Sequence, residues 1–462
     1  MSRLEITTTT GGRMVLDDSA VGNLKASLRG ELLRPGDETY DETRKLWNGM
    51  IDHRPTLIAR CAGPGDVVLS VQFAREHDVL VAVRGGGHSI AGICVCDGGL
   101  MIDLSPMKGI RVDPVLGTVV AQPGLKLGEF DHETQVFGLG TTMGIATDTG
   151  IAGLTLGGGY GWLAGKYGLA CDNLLSVDVV TAEGKLITAS ERENADLFWG
   201  VRGGGGNFGV VTSFEYQLHP VGPVLGGVVL YPPSKEAVRF FEEFSSTCPD
   251  EISTVGLLLT APDGTPALAI LACHCGSLDE GERALKPLRT FGPPLADVIQ
   301  PRKYVEMQSI TDEGWPRGRQ YYWKSSLVRT LSDELIEALL EYARRKRTPL
   351  SLIYLQQLHG AAGRVNADET AFPHRFDHFD CGAMLEAVDP SDTEEGIQWS
   401  RDCWQAIQPF VEPSNYVNDL GEEGEQRVRE AYGLNFERLT ALKNRVDPTN
   451  FFRLNANVPP SA

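Results

Sequence analysis

Three consecutive glycines end an apolar run early in this chain and limit how the backbone can fold there. The run 79–83 is typical of a short buried strand, and the glycines at 85–87 stop it. Without Cβ atoms, glycines let the backbone lie almost against a ligand, and their amides form an anion-binding concavity. Arg84 adds a positive charge, and His88 adds a nucleophilic imidazole. The stretch predicts a site for a phosphate-bearing cofactor that His88 could hold covalently, although a structural turn histidine is the alternative.

Two further glycine clusters follow, at 149–161 and 202–209. The first holds six glycines in thirteen residues. Each glycine costs a helix about 1 kcal/mol relative to alanine, so we expect this backbone to be pressed against a flat or phosphorylated ligand. The second fits G-x-G-x-x-G over 204–209, but a strand at 210–216 follows where a dinucleotide fold needs a helix. We therefore reject the Rossmann fingerprint.

Composition and charge exclude several classes of partner. A net charge of −19 over 462 residues argues against nucleic acid and against an anionic membrane surface. No apolar run approaches the ~20 residues of a membrane span, and the first residues lack the apolar core of a signal peptide. The nine cysteines are scattered without C-x-x-C pairs, which indicates buried thiols in a reducing compartment rather than a zinc site. We expect a cytoplasmic protein of two or three domains that binds no metal.

The composition changes near 220–232, where the glycine clusters cease. Beyond this point, strands alternate with long amphipathic helices, one of which Ser332 would cap. This part predicts an α+β domain with an antiparallel sheet, in which Tyr354 and Gln356 share one face of a strand at 350–358. At the other end of the chain, residues 1–30 carry little signal beyond that of a mobile tail.

Together these motifs resemble the berberine-bridge-enzyme-like family of flavoproteins, within the vanillyl-alcohol-oxidase superfamily. The resemblance covers essentially the whole chain. It is carried by the segments 84–89, 150–162, 196–209 and 452–460. It implies an α+β fold in which a two-part FAD-binding domain, 33–220 completed by 411–462, is interrupted by a substrate-binding domain over 221–410. The antiparallel sheet of that inserted domain would be flanked by helices.

The same resemblance implies FAD with a single covalent link, from His88 to the 8α-methyl group of the isoalloxazine ring. Many members carry a second link through a cysteine, but Ala146 stands at that place here. The other residues implied to bind FAD are Trp47, Val83, Arg84, Gly85, Gly86, Gly87, Ser89, Gly92, Pro123, Thr149, Gly150, Gly153, Gly157, Gly161, Val210, Asn418, Asn455 and Asn457.

An oxidase reaction is also implied, in which a small alcohol, sugar, amine or polyketide- or alkaloid-like compound gives up hydride and O2 becomes hydrogen peroxide. The catalytic candidates are Thr149, Tyr160 and Asp419. Asp419 stands where plant members have the tyrosine base of a Y-x-N-Y pattern, so it either replaces that base or is a solvated loop acid. Tyr354 and Gln356 either look at the flavin or simply pack.

Two other functions stay open at this point. One is a monooxygenase of secondary metabolism that works through a flavin–oxygen adduct, because Thr149 matches a position near the flavin N5 atom in antibiotic-tailoring bacterial relatives. The other is a drug-binding or resistance flavoprotein with slow turnover. Ile151, at a position that often controls oxygen access in the family, leaves oxidase or dehydrogenase undecided. The expected partners are a small-molecule substrate and O2, for a monomer or a homodimer.

Overall fold

The computed structural model describes residues 4–421 and 423–461. The apolar run before the first glycine cluster is an edge strand of a four-stranded sheet of order β3-β4-β6-β5, in which β4, β5 and β6 are parallel. The elements of this part are β1 (Leu4–Thr7), β2 (Arg13–Leu16), α1 (Asp18–Ser27), β3 (Glu31–Leu33), α2 (Tyr40–Arg44), β4 (Leu57–Arg60), α3 (Pro64–Glu76), β5 (Val81–Arg84) and β6 (Leu100–Asp103). Helix α3 covers the sheet and buries Val67, Val71 and Ala74 in the core.

The prediction of a mobile tail over residues 1–30 was wrong for the described residues 4–30. Strands β1 and β2 form an antiparallel hairpin, and Ile6, Leu16 and Val21 are buried in the same core as α3. The hairpin joins this part of the chain through backbone hydrogen bonds, from Thr7 N–H to the Gly98 carbonyl and from Leu80 N–H to the Thr7 carbonyl. These are pairings with residues more than 70 positions away, which the local threonine-rich sequence does not reveal.

A five-stranded antiparallel sheet follows, of order β11-β10-β12-β8-β7. The elements of this part of the chain are β7 (Ile110–Asp113), β8 (Thr118–Ala121), α4 (Leu127–Gln135), β9 (Leu139–Gly140), α5 (Ile151–Leu156), α6 (Ala164–Tyr167), β10 (Leu174–Val180), β11 (Leu186–Ser190), α7 (Ala195–Val201), β12 (Val210–Gln217) and β13 (His219–Pro220). Strands β9 and β13 pair with each other outside the five-stranded sheet. The third glycine cluster lies between α7 and β12, so the rejection of the dinucleotide fingerprint is confirmed: a strand, not a helix, follows the glycines.

The middle of the chain forms a large antiparallel sheet of order β17-β14-β16-β15-β20-β21-β19, with β18 also paired to β14. Its elements are β14 (Val224–Tyr231), α8 (Lys235–Thr247), β15 (Ile252–Thr260), β16 (Pro266–His274), α9 (Leu278–Thr290), β17 (Ala296–Asp297), β18 (Gln300–Arg302), α10 (Tyr304–Gln308), β19 (Gln320–Val328), α11 (Asp333–Arg344), β20 (Leu352–Leu358), α12 (Ala361–Arg364), β21 (His378–Ala387) and α13 (Thr393–Ile407). Helices α8, α9, α11 and α13 bury one face of this sheet. Ser332 caps α11, as predicted. The α+β fold with an antiparallel sheet flanked by helices is therefore confirmed.

The end of the chain returns to the five-stranded sheet. Helices α14 (Gly424–Tyr432) and α15 (Phe436–Val446) precede the final segment. Leu439 and Leu442 pack into the core that contains Phe198 and Phe214. Within residues 4–421 and 423–461, none of the helices has both the length and the apolar character that crossing a bilayer requires.

Candidate functional site

A cavity of about 900 Å³ lies where the glycine segments, the end of the chain and the open face of the large sheet meet. This volume is at the upper end of the range usual for ligand and cofactor sites. One wall is made by the turn after β5, the segment 144–156 and the segment 452–459. The opposite wall is made by side chains of β15, β19, β20 and β21. The cavity therefore has a glycine-rich wall and a side-chain wall.

Most of the residues proposed from the sequence line this cavity. All three catalytic candidates do so: Thr149, Tyr160 and Asp419. So do the cofactor candidates Trp47, Val83, Gly85, Gly86, Gly87, His88, Ser89, Thr149, Gly150, Gly153, Val210, Asn418, Asn455 and Asn457, together with Tyr354 and Gln356 on the opposite wall.

Five other cofactor candidates lie behind the lining: Arg84, Gly92, Pro123, Gly157 and Gly161. The Arg84 guanidinium donates to the Thr43 carbonyl rather than pointing into the cavity. A Cβ on Gly157 would collide with the Asn418 side chain, and a Cβ on Gly161 with the Met143 carbonyl. In this fold both glycines are required because neighbouring groups lie against their backbone.

The first and second glycine clusters touch each other through their backbones. A Cβ on Gly86 would lie 2.5 Å from Gly150 Cα, and a Cβ on Gly150 would lie 2.6 Å from Gly86 N. Real Cβ atoms do not approach backbone this closely, so neither position tolerates a side chain without movement of the other segment. The two clusters thus form one continuous backbone surface, the glycine cradle (residues 85–87 and 149–150), which needs both glycines to exist.

His88 stands at the edge of the glycine cradle and is half-buried, with its accessible edge on the cavity. Its ring stacks on Trp47 at a centroid distance of 4.3 Å, and Trp47 in turn stacks on Tyr321 at 3.7 Å. Burial lowers the pKa of His88 to about 4, although the nearby Asp148 carboxylate opposes this shift. At neutral pH the imidazole is therefore uncharged, and one ring nitrogen keeps a lone pair for bond formation.

Charged side chains that the sequence analysis did not single out surround this histidine. Asp148 forms an ion pair with Arg317, whose Nε lies 2.7 Å from its Oδ2, and a second pair with Lys126. Arg317 also donates to the Gly86 carbonyl at 2.9 Å. Asp148 could have been proposed as a site residue because it precedes Thr149. The sequence around Arg317 carries no signal that would place it beside Gly86.

The C-terminal side of the cavity offers polar atoms to a ligand. Asn455 donates through Nδ2 to the Gly206 and Phe452 carbonyls. In the described part of the chain, the side-chain Oδ1 atoms of Asn455 and Asn457 are buried without a hydrogen-bond partner. Since buried polar atoms are normally paired, these two acceptors indicate a bound donor. A flavin ring with its N–H and a ribityl chain with its hydroxyls carry such donors, so the residues present fit FAD.

Tyr160 is packed between aromatic rings close to the same cavity. It stacks on Tyr416 at 4.3 Å, and its hydroxyl lies 3.2 Å from His378 Nε2. Burial lowers the pKa of His378 to about 3, so its ring is neutral, and we assign its proton to Nδ1, which lies 2.6 Å from the Phe376 carbonyl. Nε2 then accepts from Tyr160, whose pKa burial raises well above its usual range. Tyr160 is therefore a fixed neutral phenol that donates away from the cavity.

A second polar cluster stands on the side-chain wall. The Tyr354 hydroxyl donates to Asp419 Oδ2 at 2.7 Å, and the Ser325 hydroxyl lies 3.4 Å from the same oxygen. The carboxyl of Asp380, only 1% exposed, is in hydrogen-bond contact with that of Asp419. Asp419 is therefore held by three donors. The sequence analysis missed Asp380, although an acid within the apolar strand 378–387 was a signal for it.

Ala146 and Ile151, which the sequence analysis considered for flavin attachment and oxygen access, lie in different surroundings. Ala146 lines the cavity, so the position of the family's second cysteine faces the ligand. Ile151, the position considered for control of oxygen access, is fully buried in the core beneath the five-stranded sheet.

The glycine cradle, the uncharged imidazole of His88 and the unpartnered acceptors of Asn455 and Asn457 fit the class of flavin-dependent oxidoreductases. Comparison with known families agrees. Residues 55–190 match the family model described as FAD binding domain, and residues 415–459 match the one described as berberine and berberine like. The chain belongs to the berberine-bridge-enzyme-like family of FAD-linked oxidoreductases.

Similar proteins extend over nearly the whole chain. An FAD-linked oxidoreductase from Dictyostelium discoideum is 33% identical, with 94% of this chain and 95% of the relative aligned. (R)-6-hydroxynicotine oxidase from Paenarthrobacter nicotinovorans is 30% identical over 94% of this chain and 97% of the relative. The crystal structure of 6-hydroxy-D-nicotine oxidase from Arthrobacter nicotinovorans superposes with a TM-score of 0.87 at 30% identity, covering 94% of this chain and 99% of that structure.

Proposed function

We propose that this FAD-dependent enzyme is an oxidase with one covalent link to its flavin, through His88, and that it oxidises a small organic substrate at the expense of O2. The observation that carries this proposal is the position of His88. Its uncharged imidazole faces the cavity from the glycine cradle, opposite the wall that holds Tyr354 and Asp419. The oxidase name of the nicotine-oxidising relative at 30% identity supports the reaction type.

The two walls of the cavity suggest which parts of the chain bind the cofactor and which part binds the substrate. We propose that residues 33–220 and 411–462 hold FAD and that residues 221–410 hold the substrate. The final segment supports this division because it packs against the five-stranded sheet and brings Asn455 and Asn457 to the cavity. The hairpin of residues 4–16 belongs with the first part, since it shares its core.

Each group on the FAD side has a physical task. Bound FAD would supply the hydride acceptor for the substrate carbon and the two electrons that reduce O2 to hydrogen peroxide. Trp47 keeps the His88 ring in one orientation by stacking on it. The glycine cradle brings backbone close to the ligand, and the Oδ1 atoms of Asn455 and Asn457 accept hydrogen bonds from it. Ala146 supplies no thiol, which limits the attachment to one bond.

The cellular compartment and the oligomeric state are also part of the proposal. All nine cysteines are free thiols, six of them buried, which supports a reducing compartment such as the cytoplasm. We propose a monomer or a homodimer that takes a small molecule and O2 as its partners.

The covalent link is tested by the visible spectrum of the purified protein before and after acid precipitation. We expect yellow colour to stay in the wild-type pellet and to move to the supernatant in His88→Ala. His132→Ala is the matched control, because this histidine is exposed and, among the described residues, its ion-pair partner is Glu133. Colour that washes out of the wild type would overturn the covalent claim, and a colourless protein would overturn the flavin itself.

The oxidase reaction is tested by peroxide release in air from a panel of alcohols, amines and sugars. We expect one class to give one peroxide per substrate oxidised. Incorporation of an oxygen atom into the product would instead establish a monooxygenase. Flavin reduction by the substrate without reoxidation by O2 would establish a dehydrogenase, and substrate binding without flavin reduction a binding flavoprotein.

A further inference from the structure

The loop that joins α10 to β19 lies against the segment that precedes the second glycine cluster. Gln308 donates through Nε2 to the Gly144 carbonyl at 2.8 Å, and Asp312 Oδ1 accepts from the Thr147 N–H at 2.9 Å. This bridging loop (residues 308–319) belongs to the part of the chain that contains the large sheet. That part therefore fixes the position of the backbone that leads into the glycine cradle.

Arg317 is the residue of the bridging loop that reaches the glycine cradle itself. Its Nη2 donates to the Gly86 carbonyl at 2.9 Å, and its Nε lies 2.7 Å from Asp148 Oδ2. A planar guanidinium holds two partners in fixed directions at once, which an ammonium group does less well. Arg317 therefore ties the two segments of the cradle together beside His88, which follows Gly86 by two positions.

The charges near the His88 ring act in opposite directions. Burial is the largest effect and lowers the pKa of His88 to about 4. Among the nearby charges, Asp148 acts most strongly and favours the cationic ring, whereas Arg317 and Lys126 disfavour it. Lys126 also forms an ion pair with Asp148 through Oδ1. The free imidazole is therefore uncharged, and a carboxylate held by two cations is positioned to stabilise a positive charge that develops on the ring.

Bond formation at this imidazole creates such a charge. When the lone pair of one ring nitrogen forms a bond to carbon, the ring is cationic until its other nitrogen loses a proton. Burial makes that cation unfavourable. A fixed carboxylate nearby offsets the cost, because it is already oriented before the charge develops. Asp148 and Arg317 line the same cavity as His88, so they lie on the side from which a flavin would approach.

We propose that Asp148 and Arg317 are positioning residues for the attachment of FAD to His88. Asp148 stabilises the cationic ring while the bond forms, and Arg317 holds both Asp148 and the turn at Gly86 in place. This inference rests on the proposed covalent link. In the overall step, a C–N bond replaces one C–H bond of the 8α-methyl group and one N–H bond of the imidazole. O2 takes up the two electrons and two protons that are released, and becomes hydrogen peroxide.

The test measures attachment separately from turnover. Full-length apoprotein from riboflavin-starved cells is mixed with FAD, and samples taken over time are denatured and separated by gel electrophoresis. Flavin fluorescence at the protein band gives the rate of attachment. Quenching of flavin fluorescence on mixing gives the affinity for FAD before the bond forms. A residue that only supports the fold would change the affinity, whereas the proposed role of Asp148 concerns the rate.

We expect Asp148→Asn to keep the wild-type affinity for FAD and to attach it at least about tenfold more slowly, because a preorganised charge beside a developing opposite charge contributes that much or more. Asp148→Glu keeps the charge and should recover part of the rate. Arg317→Met should slow attachment less than Asp148→Asn does, because Lys126 still pairs with Asp148.

Arg289→Met is the matched control for Arg317→Met. Arg289 Nε lies 2.7 Å from Asp297 Oδ2 and its side chain is 35% exposed, against 2.7 Å and 34% for Arg317 with Asp148. Neither Arg289 nor Asp297 is part of the cavity lining. Arg289→Met should therefore attach FAD at the wild-type rate.

Several outcomes would overturn the inference while the covalent link of the wild type stands. They are a wild-type attachment rate in Asp148→Asn, an Asp148→Glu variant as slow as Asp148→Asn, or a loss in Asp148→Asn that higher FAD concentrations restore completely. A wild-type rate in Arg317→Met would overturn the role of Arg317. Absence of covalent flavin from the wild type would instead refute the proposed link to His88 itself.

Discussion

Lys443 and Asp447 form a buried ion pair that ties the final segment of the chain to the third glycine cluster, and its removal gives a sharp test of the fold. Both side chains are 0% exposed. Lys443 Nζ donates to Asp447 Oδ2 at 2.7 Å, to the Asn207 carbonyl at 2.7 Å and to the Phe452 carbonyl at 2.9 Å. Asp447 accepts in turn from the backbone N–H groups of Phe451 and Phe452.

We expect Lys443→Met to reduce the free energy of unfolding by about 3–5 kcal/mol, because it leaves the Asp447 carboxylate buried without its counter-charge. That is a large share of the roughly 5–15 kcal/mol that stabilises a typical protein. The double variant Lys443→Met/Asp447→Asn removes the buried charge and keeps one side-chain oxygen for a backbone N–H. It should therefore recover about 1–3 kcal/mol relative to the single variant.

The measurement is urea unfolding at pH 7, followed by tryptophan fluorescence and by circular dichroism. Lys45→Met is the matched control, since Lys45 pairs with Glu42 on the surface with 65% of its side chain exposed, and its stability should stay close to that of the wild type. A loss below about 1 kcal/mol for Lys443→Met, or a double variant no more stable than the single one, would refute the reasoning about an uncompensated buried charge.

Two further predictions concern the glycine cradle and the buried carboxyl of Asp131. Gly86→Ala should lower the flavin content of the purified protein severalfold, because its Cβ would lie 2.5 Å from Gly150 Cα; Gly65→Ala, where nothing lies within 4 Å, should keep the wild-type absorbance ratio of flavin to protein. Burial raises the pKa of Asp131 in the folded protein. The stability that protonation of Asp131 contributes is therefore complete below about pH 4, the pKa of Asp131 in the unfolded chain. It is lost as pH rises through the pKa of Asp131 in the folded protein. Asp131→Asn should therefore raise the melting temperature more at pH 8 than at pH 4, and an equal shift at both values would contradict this.

Local sequence signals were sufficient for many elements of the fold. The predicted strand at 210–216 is present as β12, the helix that Ser332 caps is α11, and the predicted strand at 350–358 is present as β20. The N-terminal hairpin was missed because its strands are only four residues long, and the bonds that anchor it to the rest of the chain go to the backbone of Leu80 and Gly98. Such pairing is set by distant backbone and leaves no periodic pattern in the local sequence.

The same distinction holds for the candidate site. Glycine clusters and the strand alternation of Tyr354 and Gln356 could be read locally, and Tyr354, Gln356 and more than half of the cluster glycines line the cavity. Arg317 could not, because its importance comes from contact with Asp148, which lies 169 positions away in the sequence. For Asp380, only the contact with Asp419, 39 positions away, had no local signal. A buried acid in an apolar strand is the signal that would have raised Asp380.

Hydrogen bonds join the glycine-rich wall of the cavity to the loop that leads into the side-chain wall. Trp47 Nε1 donates to the Trp315 carbonyl at 3.0 Å, and the Trp47 carbonyl accepts from Gly318 N–H at 2.9 Å. Gly49 N–H donates to the Arg319 carbonyl at 2.7 Å, and a Cβ on Gly49 would collide with Gly318. The residue that stacks on His88 is therefore hydrogen-bonded to the loop that leads into β19 and Ser325. Because both walls of the cavity share these hydrogen bonds, we expect the spacing between His88 and the carboxyl of Asp419 to be set by the fold before any ligand binds.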